Sequence, residues 1–203
     1  MEKLIRFVLP VLAVLLSATA SAQDETSSSV CVKVGTNVAS LTNEPSSKVR
    51  MGFTGGLELL CMTSERFGLS VGALYSQQGG KLKLVSRYTE DNYYYTLRLD
   101  YVNIPLLCNL YISKGFAVKA GFQLGIKVKG ELPEPERDDD YNYGINSVPK
   151  VSNTSLSIPL GLSYEFHNVV LDARYNVGLS RILNDYKDKM SVFSFTLGYI
   201  FGK

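Results

Sequence analysis

The chain has 203 residues, 45% of them hydrophobic, and sets 21 Lys and Arg against 19 Asp and Glu for a formal net charge of +2. A balance this even supplies no field to draw nucleic acid or an anionic surface, so neither is expected as a partner. Seventeen glycines, thirteen tyrosines and no tryptophan, with Val, Leu and Ile in short runs rather than at helical spacing, favour strands.

At the N-terminus Lys3 and Arg6 precede the apolar run Phe7 to Leu16 and the small-residue exit Ala20-Ser21-Ala22. This pattern predicts a cleaved signal peptide over residues 1–22, leaving 23–203 as one domain. The apolar run is too short to span a bilayer as a helix, and no later stretch reaches that length.

Val30 to Ser40 alternates Val30, Val32, Val34 and Val38 with Lys33, Gly35 and Asn37, which predicts the first strand. After the Ser/Asn/Pro-containing loop Leu41 to Val49, residues Met51, Phe53, Leu57, Leu59 and Cys61 share a face opposite Thr54, Gly56 and Glu58. A short turn, Met62 to Glu65, leads to a third strand with Phe67, Leu69, Val71, Ala73 and Tyr75 on one face and Gly68, Ser70, Gly72, Leu74 and Ser76 on the other. Gln77 to Tyr93 reads as a long polar loop or a strand pair reaching past the membrane.

The clearest signal is Asp100 to Lys129, two strands about the turn Ser113 to Phe116. In the second of them Phe116, Val118, Ala120, Phe122, Leu124, Ile126 and Val128 alternate strictly with small, polar or charged residues. Period two sustained over thirteen residues is the pattern of a tilted strand crossing a bilayer, apolar face to lipid. Beyond the acidic, proline-containing connection Glu131 to Asn153, a sixth strand carries Leu156, Ile158, Leu160, Leu162, Tyr164 and Phe166 on one face. His167-Asn168 is a tight turn, Val169 to Leu179 a seventh strand with Asp172, Arg174 and Asn176 inward, and Arg181 to Met190 a polar connection. The eighth, Ser191 to Phe201, presents Phe193, Phe195, Leu197, Tyr199 and Phe201 together. Connections alternate long and short, so the fold expected is all-β: an eight-stranded antiparallel transmembrane β-barrel with its long loops on one side.

Within that alternation Tyr101-Val102-Asn103-Ile104-Pro105-Leu106-Leu107, Lys114-Gly115-Phe116 and Ala120-Gly121-Phe122-Gln123-Leu124-Gly125 resemble the PorT-like outer-membrane β-barrel family, with its OmpX-like eight-stranded barrel. Leu171-Asp172-Ala173-Arg174-Tyr175-Asn176-Val177-Gly178-Leu179 and Phe195-Thr196-Leu197-Gly198-Tyr199-Ile200-Phe201 carry the same resemblance. It implies residence in the outer membrane of a Gram-negative bacterium, with membrane lipid and, during biogenesis, the barrel assembly machinery as partners.

Chemistry is sparse. The one histidine, His167, falls in a turn on the side opposite the long loops, which disfavours a Ser/His/Asp site and an enzyme. Asp138-Asp139-Asp140 lacks the alternate spacing and glycine of a calcium loop and reads as a solvated loop. Tyr88, Tyr93, Tyr94, Tyr95, Tyr141 and Tyr143 flank long loops and read as an interfacial girdle or a contact patch. Cys31, Cys61 and Cys108 have no CxxC spacing or nearby histidine and read as small strand residues, so no metal or cofactor is expected.

The inner face carries Lys33, Glu58, Lys119, Asp172 and Arg174, of which Lys119, Asp172 and Arg174 each fall a few residues from a short turn. Antiparallel pairing about the first loop's midpoint sets Lys33 roughly opposite Glu58, and the five are expected to share one salt-bridged layer that seals the lumen. The expectation is therefore an integral outer-membrane protein of structural or surface-interaction type, with a filled lumen and no wide pore. A soluble lipocalin-like carrier of a small apolar ligand, with the two faces exchanged, and a narrow porin-like transporter are the alternatives.

Overall fold

In the computed structural model, residues 28–41, 49–85, 92–131, 152–180 and 189–202 are described. The signal peptide expected over 1–22, Asp138 to Asp140, and Tyr88, Tyr141 and Tyr143 lie outside them. Eight strands follow in chain order: β1 Ser28–Leu41, β2 Arg50–Ser64, β3 Phe67–Val85, β4 Asn92–Ser113, β5 Phe116–Glu131, β6 Thr154–Phe166, β7 Val169–Gly178 and β8 Met190–Phe201. Each pairs antiparallel with its sequence neighbour, and β1 pairs with β8 from Val30↔Phe201 to Leu41↔Met190, closing the barrel. Closure satisfies backbone groups that hydrocarbon would leave unpaired.

The side chains sort by parity, as the pleat requires. Phe193, Phe195, Leu197, Tyr199 and Phe201 are about half exposed on the outside of β8. Phe122, Leu124, Leu160, Leu162 and Leu171 continue that outer surface over β5 to β7. Lys33, Glu58, Asp172 and Arg174, by contrast, are 5% exposed or less, inside. A protein folded for water has the opposite distribution, so the arrangement excludes the lipocalin-like polarity and fits a bilayer around the wall.

The structure moves several boundaries. The first short turn shrinks to Glu65-Arg66, because β2 runs to Ser64 and β3 starts at Phe67. The second shrinks to Lys114-Gly115, with Gly115 at a φ of 83° that a side chain would strain, and β7 stops at Gly178. Gln77 to Tyr93 is mostly strand: β3 has 19 residues and β4 22, paired out to Val85↔Asn92. β2 stays paired with β3 only to Ser76, and β5 with β4 only to Arg98. Beyond those points β3 and β4 form a two-stranded ribbon standing about 20 Å above the wall at ordinary strand rise. Gly79, at a φ of 137°, sits where the ribbon leaves the barrel.

Candidate functional site

The inner faces of eight strands converge on a narrow lumen, which their own side chains fill in tiers. At the end carrying the short turns the lumen opens into a mouth of about 830 Å³, rimmed by Glu65, Arg66, Lys114, Glu165 and His167. His167 occupies the β6–β7 turn at a φ of 57°, its ring edge-on to Phe166 with centroids 4.3 Å apart. Above the mouth Cys31, Val170 and Ile200 form a buried apolar cluster.

The next tier gathers all five charged residues singled out in the sequence. Lys33 Nζ donates to Glu58 Oε1 and to Asp172 Oδ2, each at 2.9 Å. Lys119 Nζ donates to Asp172 Oδ2 at 3.0 Å and lies 3.5 Å from Glu58 Oε1. Arg174 Nη2 donates to Glu58 Oε2 at 3.0 Å and to Asp172 Oδ2 at 2.9 Å. Both carboxylates thus hold all three cations, and the contacts run between β1, β2, β5 and β7 across the whole bore. Charges this buried are tolerated only when paired, and removing one partner of such a pair costs about 3–5 kcal/mol.

One detail of the register differs from expectation. Lys33 pairs across the ladder with Gly56, not Glu58, which sits two residues along. The lysine bridges that diagonal because its stem is long and its ladder neighbours are glycines, Gly56 on β2 and Gly198 on β8. Gly161 likewise stands beside both Lys119 and Arg174. A Cβ at Gly198 would come within 3.1 Å of Lys33 Cγ and 2.6 Å of Cys31 Sγ. These glycines make room for the basic side chains, a role the sequence signals only once pairing is known.

Beyond the charges the lining turns to amides and hydroxyls. Asn37 Nδ2 and Gln78 Nε2 both donate to Ser76 Oγ, at 2.7 and 3.0 Å, while Gln123 Nε2 reaches Ser157 Oγ at 3.4 Å. Among the described residues this half holds cavities of about 20 Å³, each room for about one water. The cysteines are free, with Cys31 buried inside and Cys108 exposed on the outer face. No group of residues able to hold a metal occurs among the described residues.

A sequence-family model for an outer membrane protein beta-barrel domain matches residues 21–184. Among solved structures, the Neisserial surface protein A shares 15% identity at a TM-score of 0.51, covering 89% of this chain and 100% of that one. OprG from Pseudomonas aeruginosa shares 14% identity at a TM-score of 0.48, over 87% and 97%. The attachment invasion locus protein Ail of Yersinia pestis shares 17% at a TM-score of 0.47, over 85% and 98%. No curated protein matches the chain in sequence.

Proposed function

The chain belongs to the outer membrane protein β-barrel domain family, and from that premise we propose that it is a sealed membrane anchor that presents the β3–β4 ribbon to a partner outside the cell. Its place is the outer membrane of a Gram-negative bacterium. The observation that carries the proposal is the ribbon itself, two paired strands whose outer edges, among the described residues, have no ladder partner beyond Ser76 and Arg98. A free strand edge offers a row of backbone donors and acceptors to an extended segment of another chain.

The sealed bore supports an anchor over a conduit, since the charge tier crosses it and the chambers beyond are water-sized. Leader 1–22 directs export, the assembly machinery inserts the strands, and the long connections with the ribbon face outward. The motifs around Tyr101 to Leu107 and Leu171 to Leu179 support a finer place in the PorT-like branch.

The test replaces residues 80–97 with a two-residue turn and compares surface cross-linking on intact cells with that of the full-length protein. Loss of a discrete cross-linked product, with membrane insertion unchanged, is the expected result. An undiminished product overturns the ribbon as contact surface, and channel activity of the unaltered protein in planar bilayers overturns the sealed anchor in favour of a narrow transporter.

A further inference from the structure

The buried tier is not neutral. Lys33, Lys119 and Arg174 carry three formal positive charges and Glu58 and Asp172 two negative, all five at 7% exposure or less. Glu165, the next carboxylate along the inner face, lies two residues nearer the turn, in the open mouth on the opposite side. Arg174 also keeps an unused donor, its Nε, buried with no protein acceptor within reach.

Directly beyond the tier is one of the water-sized cavities, about 20 Å³. Lys33, Asp172 and Arg174 bound it on one side and the hydroxyls of Thr54, Ser76 and Ser194 on others. The Asp172 carboxylate that also borders it is already engaged, since its Oδ2 faces all three cations. An uncompensated charge in a dry interior is costly, whereas a small anion beside it restores balance and meets donors that need an acceptor.

We infer that this cavity is a binding site for a single dehydrated monovalent anion of halide size, held by Arg174 Nε, Lys33 and the hydroxyls of Ser76 and Ser194, the Thr54 hydroxyl being donated to Tyr75 O. With it the tier carries three charges of each sign. A water molecule is the competing occupant: it satisfies Arg174 Nε and the equally unpartnered Asn176 Oδ1 but leaves the charge uncancelled.

The test uses the full-length mature protein in detergent, in sodium bromide and in sodium gluconate at equal ionic strength. Crystals grown in bromide are expected to show an anomalous peak at the bromine edge between Arg174, Thr54 and Ser76. The unfolding midpoint is expected to rise with the logarithm of bromide concentration above the dissociation constant, by roughly 3–5 °C at ten times that constant. Lys119→Met, which leaves two cations against two carboxylates, should lose both signals. A cavity peak without anomalous signal, equal midpoints in the two salts, or a Lys119→Met variant with the same bromide response each overturns the site. Should that variant not fold, the anomalous map of the unaltered protein decides alone.

Discussion

Glu58→Gln tests the charge tier with the least change in shape. Glu58 is 3% exposed and accepts from Lys33 at 2.9 Å and Arg174 at 3.0 Å, with Lys119 at 3.5 Å. At an effective dielectric near 20, each unit-charge contact at that distance corresponds to about 5 kcal/mol of attraction. Desolvation of the glutamate and repulsion among the cations offset much of it, so the expected net loss is about 3–5 kcal/mol. Removing a cation is a different matter. Lys33→Met leaves two positive and two negative charges, and should cost clearly less than Glu58→Gln. In the double variant the glutamine should be better tolerated than alone, giving a coupling of about 1–3 kcal/mol. The assay is urea unfolding in detergent, followed on gels by the mobility difference between folded and boiled barrel, since the chain has no tryptophan to report. Equal costs for the two single changes, adding to within about 0.5 kcal/mol, would refute a coupled tier.

Three further outcomes are expected. The protein should leave outer-membrane fractions only with detergent and run faster unboiled than boiled, and recovery in a detergent-free periplasmic fraction would contradict the bilayer-facing wall. An epitope after Asp139 should bind antibody on intact cells, and one between Ser64 and Glu65 only after permeabilisation; the reverse labelling would invert the topology. Gly198→Ala should destabilise the barrel by about 1–3 kcal/mol through its clash with Cys31 Sγ, and Cys31→Ala should restore most of the loss, whereas no restoration would mean that the thiol is not the obstacle.

How much could be read without coordinates follows from where one physical constraint acts alone. Between Asp100 and Lys129 lipid faces one side and the packed lumen the other, so every second residue is constrained and the alternation survives in the sequence. Gln77 to Tyr93 lacks that alternation, so its polar residues leave a loop and a strand pair past the membrane both open, and the structure has the strand pair, out to Val85↔Asn92. The five charged residues could be picked out because charge on an otherwise apolar strand is conspicuous. Their register could not: pairing about a loop midpoint presumes a tight hairpin, and the connection from β1 to β2 places Lys33 against Gly56 instead. The glycines beside the basic side chains and the surplus of one cation emerge only when four strands are brought into one plane.

The seam between β1 and β8 has a consequence for how the barrel is made. Val30 pairs with Phe201 and Leu41 with Met190, partners about as distant in sequence as the barrel allows, while all other ladders join immediate neighbours. Contacts of such long range form last and slowly. Until they do, a seven-hairpin-joined ribbon of strands carries two bare edges and an apolar face, the form in which strands add to foreign chains. Closure is therefore the step at which folding is most exposed, and a variant weakened only at Val32↔Tyr199 or Val34↔Leu197 is expected to accumulate in lower amount in the membrane while hardly changed in the finished barrel.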